Sequence, residues 1–146
     1  MNDYPPDAQK IELVKEYFRR VDVGRADIVD LFHEDALFYF PKFGLGRGPS
    51  SILEMAAGFA GVIESVEHDF DNYLYIAAGA HVAVEGTTTG RMNGKVWEAG
   101  KTPGGRFCNI FEFRGNRFAR AFVYLDPDYI GEDEPRFRWG RDRPAW

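Results

Sequence analysis

The chain has 146 residues, which is room for one domain of ordinary size with a sizeable core. Its formal net charge of -5 argues against general nucleic-acid binding, because neutralising phosphates supplies most non-specific affinity. No apolar run reaches the roughly 20 residues that cross a bilayer, so we expect no membrane segment and no signal peptide. The single cysteine, Cys108, cannot form an internal disulfide, and we therefore expect a cytoplasmic protein.

The first part of the chain predicts helices. Residues 1–8 form a polar arm, and from Gln9 apolar residues recur at three- and four-residue spacing, which is typical of an amphipathic helix. The predicted helices lie at 9–23, 26–32 and 51–62, with a strand at 36–40. The glycine-rich segment 43–49 lacks the spacing of a phosphate-binding loop and is interpreted as a tight connection.

The rest of the chain predicts strands at 66–76, 81–89, 106–114 and 118–125. Helices followed by antiparallel strands indicate an α+β domain, here over residues 9–130. Such a sheet can curl into a half-open cone whose concave face is covered by the helices, leaving an apolar cavity between them. The tail, residues 131–146, carries Phe137, Trp139 and Trp146, and we expect these aromatic residues to pack it against the domain.

Four segments carry a resemblance to a known family. They are Val23–Asp27, Leu31–Ala36, Gly46–Ile52 and the hairpin Phe111–Arg117 followed by Tyr124–Asp126. In this order the chain resembles the nuclear transport factor 2-like superfamily and, within it, the SnoaL-like group of polyketide cyclases, ketosteroid isomerases and dehydratases. The resemblance covers about residues 9–129 and implies a cone-shaped, curved antiparallel or mixed β-sheet covered by about three N-terminal helices.

The isomerase branch of this family implies two oxygen-binding residues. Tyr17 matches its tyrosine and Asn109 its second donor, whereas the position of the carboxylate base is Phe40, which cannot take a proton. The epoxide hydrolase branch implies an Asp-Arg-Asp set, but the matching residues are Phe107, Asn109 and Val123, so we reject that activity. Tyr17 can equally be a core residue of the first helix.

The dehydratase branch implies a histidine base at the start of the third strand, and His68 lies there. Its carboxylate partner stays open between Asp22, Asp35 and Asp126. We expect His68 to share an inward face with Phe70, Leu74 and Ile76. The alternative is an exposed histidine between two acidic neighbours.

Together with these residues, the resemblance implies a cofactor-independent lyase or isomerase that acts on a small hydrophobic, polyketide-, steroid- or terpene-like molecule. His68 is the expected acid/base, and Tyr17 and Asn109 are expected to hold a substrate oxygen. The expected ligand contacts are Phe40, Phe59, Phe107, Phe111 and Tyr124. A non-catalytic binding protein with the same pocket is the alternative, and a protein-interaction adaptor whose cavity is filled by side chains is a third. The three histidines are too scattered for a metal site, and we expect no cofactor.

A homodimer is expected through the outer face of the sheet. That face is predicted to carry Cys108, Ile110, Ala119, Ala121 and Val123. An apolar sheet face of this size is seldom left in water.

Overall fold

The computed structural model of the protein describes residues 2–137. Its helices are α1 (Asp7–Asp22), α2 (Ser50–Phe59) and the short α3 (Glu134–Phe137), with 3-10 turns at Ala26–Leu31 and Phe70–Asn72. Its strands are β1 (Phe32–Phe40), β2 (Gly44–Arg47), β3 (Ile63–His68), β4 (Leu74–Ala78), β5 (His81–Met92), β6 (Lys95–Trp97), β7 (Arg106–Arg114) and β8 (Arg117–Leu125). The predicted packing of Trp139 and Trp146 falls outside the described residues.

One curved, mixed sheet contains all eight of these strands, in the order β2-β1-β8-β7-β5-β3 with β4 and β6 also paired to β5. The β1–β8 pair is parallel, and the other pairs are antiparallel. The long strand β5 pairs with β4 and β7 over its first half and with β3 and β6 over its second. The sheet is not closed, and the predicted α+β cone is confirmed.

Helix α1 lies against the sheet because its apolar residues share one side. Val14, Tyr17 and Phe18 are buried on that side. The start of the helix is fixed by Lys10, whose fully buried ammonium group lies 2.8 Å from the Asp7 carboxylate and donates to the Gly79 carbonyl. The helix is therefore held to the β4–β5 turn at one end, and its last residue, Asp22, is placed beside β3.

An aromatic cluster fills part of the space between α1 and the sheet. Its ring centroids are 5.2 Å apart for Tyr17 and Phe111 and 4.8 Å apart for Phe111 and Phe118. Edge-to-face and tilted contacts of this kind add to the free energy gained from burying the rings. Phe111 and Phe118 form core rather than cavity wall, with Phe113 and Phe32 beside them.

The predicted strand over residues 66–76 is wrong as a single element. Asp69 leaves the ladder, a 3-10 turn follows, and β4 then pairs with the other half of β5. As a result, Leu74 and Ile76 are exposed on the outer face and do not share the side of His68. The turn resets the alternation of side chains, which a strict two-residue period cannot anticipate.

Two further predictions about the strands are corrected. The glycine-rich segment forms β2, which pairs with the end of β1. In β8, Ala121 and Val123 are buried on the concave side, so they do not belong to the outer face. Cross-strand partners share a face, and the outward residues Cys108 and Ile110 pair with Tyr124 and Phe122.

No helix within residues 2–137 is long and apolar enough to span a bilayer.

Candidate active site

A partly enclosed cavity of about 100 Å³ lies between α1, α2 and the concave side of the sheet. Most of its wall is apolar. Its wall includes Tyr17, Phe18, Val21, Phe40, Met55, Phe59, Ile63, Val66, His68, Thr88, Gly105, Phe107, Asn109, Val123, Leu125 and Tyr129. The three residues predicted to act on a substrate, His68, Tyr17 and Asn109, therefore meet at one cavity although they lie far apart in the sequence.

His68 is held by Asp22. The imidazole Nδ1 lies 2.5 Å from Asp22 Oδ1, and the backbone N–H of His68 donates to Asp22 Oδ2 at 2.8 Å. An ionised carboxylate only accepts hydrogen bonds, so Nδ1 carries the proton in the neutral ring and Nε2 keeps its lone pair. The two contacts fix both the tautomer and the orientation of the ring, as a general base requires.

The His68 ring is also packed by aromatic side chains. It stacks on Phe18 with a centroid distance of 4.7 Å and meets the ring of Phe107 at 5.7 Å. Its side chain is 12% exposed and that of Asp22 is 17% exposed. No hydrogen bond between described residues uses Nε2, and the His68 side chain lines the cavity.

The choice among three carboxylates is made by the fold. Asp35 pairs with the guanidinium of Arg114 at 2.6 Å, an interaction that lowers the pKa of the Asp35 carboxyl. Asp126 accepts a hydrogen bond from the backbone N–H of Asp128 at 2.9 Å. Only Asp22, among the three candidates, contacts His68.

Tyr17 and Asn109 supply two further polar groups of the cavity wall. Burial raises the pKa of the Tyr17 phenol well above its ordinary value, and the neighbouring Tyr129 phenol raises it further, so the hydroxyl stays a neutral donor. The Asn109 side-chain oxygen is buried with no hydrogen-bond partner among the described residues. Leaving such a group unpaired costs about 1–3 kcal/mol, which a ligand that pairs with it would recover.

The predicted ligand contacts divide into two groups. Phe40, Phe59 and Phe107 line the cavity as expected. Phe111 is fully buried behind the ring of Tyr17 and is a core residue. Tyr124 is half exposed on the outer face and cannot reach the cavity, because its inward neighbours in β8 are Val123 and Leu125.

Sequence reasoning missed two polar residues of the wall. Thr88, in β5, accepts a hydrogen bond from the indole N–H of Trp97 at 3.0 Å. Tyr129, in the segment after β8, packs on the same indole with a centroid distance of 4.7 Å. No local pattern identifies Tyr129, because it follows the last strand and is brought to the cavity only by its contacts with Trp97 and Gly104. The described residues include no group of three or more His, Cys, Asp or Glu side chains that could hold a metal ion.

The family is shown by comparison with known proteins. The family model of the SnoaL-like domain matches residues 14–121, which is most of the chain and includes the second half of α1, the strands β1 to β7 and His68. The protein belongs to the SnoaL-like domain family. No curated protein matches the chain.

Solved structures with the same fold are numerous but distant in sequence. A candidate polyketide cyclase from Xanthomonas campestris pv. campestris has a TM-score of 0.70 at 14% identity, covering 86% of this chain and 96% of that one. An NTF2-like protein from Anabaena variabilis has a TM-score of 0.69 at 18% identity, with the same coverage. An epoxide hydrolase of the LEH-like type from M. tuberculosis has a TM-score of 0.65 at 19% identity, covering 90% and 93%. At these identities the likeness establishes the fold alone.

Proposed function

We propose that the protein is a cofactor-independent lyase or isomerase that removes a proton next to a carbonyl group of a small hydrophobic molecule. The observation that supports this most is the part-buried His68–Asp22 pair, in which His68 lies at the wall of an apolar cavity. A neutral imidazole oriented by a carboxylate is suited to proton abstraction near neutral pH. The proposed substrate class is a small hydrophobic, polyketide-, steroid- or terpene-like molecule, of which a cavity of about 100 Å³ holds roughly one ring.

The reaction needs no group beyond the side chains of the site. His68 Nε2 takes the proton from the carbon beside the carbonyl, and the electron pair moves into an enolate. In this proposal the Tyr17 hydroxyl and the Asn109 side-chain N–H donate hydrogen bonds to the enolate oxygen, where the negative charge develops. In an elimination, the bond to a hydroxyl group on the next carbon then breaks, and the hydroxide takes the proton from His68 and leaves as water. In an isomerisation, His68 returns the proton to another carbon.

The positions that match the catalytic set of the epoxide hydrolases support no epoxide opening. Phe107, Asn109 and Val123 all line the cavity, but none carries the carboxylate or guanidinium that would activate water for that attack. The similarity to the epoxide hydrolase of M. tuberculosis is therefore one of fold, and it does not extend to those three side chains.

Proton exchange with a simple hydroxyketone tests the proposal. In D2O, the protein should exchange the protons beside the carbonyl of 3-hydroxycyclohexanone and, if it is a lyase, release cyclohex-2-enone. Proton NMR reports the exchange, and the ultraviolet absorbance of the enone reports the elimination. The protein is tested with this compound and with larger cyclic hydroxyketones. If it produces no exchange and no enone above the buffer rate with any of them, the result favours the non-catalytic binding protein.

We further propose a homodimer formed through the outer face of the sheet. The strand register places six uncharged side chains in one row across that face. They are Leu45, Tyr39, Phe122, Ile110, Ala83 and Ile76. At ~4.8 Å between strands the row is about 24 Å long. In a chain with a net charge of -5, two copies repel each other least along an uncharged row.

Light scattering should give the mass of a dimer at micromolar protein concentration. Phe122→Glu places a charge in the middle of the row and should produce a monomer, because an unpaired charge at an interface core is costly. Leu53→Glu is the matched control, since Leu53 is exposed on α2, away from the outer face. A monomeric wild-type protein, or a Phe122→Glu variant that remains dimeric, would contradict this interface.

The proposed location is the cytoplasm, where the single cysteine, Cys108, stays reduced.

A further inference from the structure

We propose that Tyr129 is a second phenol donor of the cavity, and that the ligand is a single-ring compound with an acidic oxygen for Tyr17 and Tyr129 and a neighbouring hydroxyl for Asn109. The inference rests on the proposed function for the site itself and goes beyond it in naming a further binding residue and the class of ligand.

Three polar side chains of the cavity wall are buried. Tyr17 is 4% exposed, Tyr129 is 7% exposed and Asn109 is 3% exposed. None of the hydrogen bonds between described residues uses either tyrosine hydroxyl, and the Asn109 oxygen has no partner among them. Buried polar groups are paired in the large majority of cases, so the unpaired Asn109 oxygen, with two phenol hydroxyls at the same cavity, favours a ligand that pairs with them.

Tyr129 is held firmly enough to act as a positioned donor. Its ring packs at 4.7 Å on Trp97, which is itself fully buried and hydrogen-bonded to Thr88. Its backbone lies so close to Gly104 that a Cβ atom there would fall 1.9 Å from the Tyr129 carbonyl oxygen. Glycine is therefore needed at position 104 for this approach.

The two phenols line the same cavity. Burial raises the pKa of both Tyr17 and Tyr129. Both hydroxyls therefore stay protonated and can donate. Two phenol donors at one small cavity favour an anionic or enolate-like oxygen over a neutral ether.

The size of the cavity limits the ligand. An apolar cavity of ~150 Å³ takes up benzene, so a cavity of about 100 Å³ has room for roughly one ring after a small movement of its wall. Helix α2 can supply that movement, because it contributes Met55 and Phe59 to the wall while burying only Ile52. A fused multi-ring ligand would require the aromatic core around Phe111 to rearrange.

Binding of 4-nitrocatechol tests this inference, because its ionised form absorbs at a longer wavelength than its neutral form. The wild-type protein should bind the ionised form, and Tyr129→Phe should weaken that binding about tenfold or more, since a hydrogen bond to a charged group is lost. Tyr4→Phe is the matched control, because Tyr4 packs beside Lys10 and does not line the cavity. A Tyr129→Phe variant that binds within twofold of wild type would overturn the role of Tyr129.

Ligands with fewer hydroxyl groups test the role of Asn109 and the need for an acidic oxygen on the ligand. 4-Nitrophenol lacks the second hydroxyl and should bind several-fold more weakly to the wild-type protein, and Asn109→Leu should abolish this difference. Equal affinities of the wild-type protein for the two compounds would overturn the role of Asn109. If Tyr129→Phe does not fold, binding of 4-nitrotoluene to the wild-type protein is measured instead. This compound has no hydroxyl group, so equal affinities for it and for 4-nitrocatechol would overturn the proposal.

These outcomes can be separated from those of the proposed reaction. Binding of 4-nitrocatechol requires no turnover, whereas proton exchange requires His68. Protein that binds the probe through Tyr129 but exchanges no protons would leave this inference standing and overturn the lyase or isomerase. Protein that exchanges protons but does not bind the probe at millimolar concentration would overturn this inference and leave the lyase or isomerase standing.

Discussion

Replacing His68 with glutamine should lower the rate of proton exchange into a cyclic hydroxyketone by at least about a hundredfold, the usual contribution of a positioned base. Glutamine keeps a polar side chain of similar length, and its amide N–H can still donate to Asp22. It has no lone pair of sufficient basicity to take a proton from carbon. The rate is measured by NMR in D2O, and the loss should lie in kcat.

The matched control is His81→Gln, because His81 is an exposed histidine at the start of β5 and is remote from the cavity. It should leave the exchange rate unchanged.

Asp22→Asn tests the positioning residue: an amide N–H facing Nδ1 would favour the tautomer that protonates Nε2, as in a serine-protease triad whose aspartate is replaced. We expect at least a tenfold fall in kcat with little change in KM, since Asp22 does not line the cavity. Full activity in His68→Gln would exclude the acid/base role.

Replacing Phe111 with alanine should lower the free energy of unfolding by about 3–5 kcal/mol, as truncation of a buried phenylalanine usually does. Phe111 is fully buried and its ring meets those of Tyr17, Phe18 and Phe118. The cavity left behind would lie in the aromatic core, where three rings would each lose a contact. Urea unfolding followed by circular dichroism, at one fixed protein concentration, measures the change.

Phe43→Ala is the control for this measurement, because Phe43 is the same residue type in an exposed position. It should cost far less than Phe111→Ala, since much of its ring already contacts water. If the two variants lose equal stability, Phe111 is not a core residue of the kind that its burial indicates.

Local patterns were sufficient to predict the order of the elements. The three- and four-residue spacing of apolar residues predicts α1, and strict alternation predicts β7 with the bounds that the structure has. The side chains of β7 show why this works: Phe107, Asn109, Phe111 and Phe113 all face inward, in a strand without a break. The placement of Asn109 at the cavity follows from that alternation alone.

The outcome for His68 shows where local patterns stop being sufficient. His68 faces inward as expected, but the reason given by the sequence was wrong, because Leu74 and Ile76 lie on the outer face after the turn at Phe70–Asn72. Its position follows from pairing with Thr88, a buried residue of β5. Pairing between strands involves residues about 20 positions apart, and no period within one strand contains that information.

The sequence by itself determined the α+β class, the amphipathic α1 and the set of residue types available for chemistry, since these depend on periodicity and composition. Only the tertiary structure decided which of them meet. Asp22 joins His68 because α1 ends beside β3, Tyr129 reaches the cavity because Gly104 allows its backbone to approach, and Tyr124 is excluded because its partner Cys108 faces outward. Each of these contacts joins residues distant in the chain, so their energies depend on packing between elements and not on any local pattern.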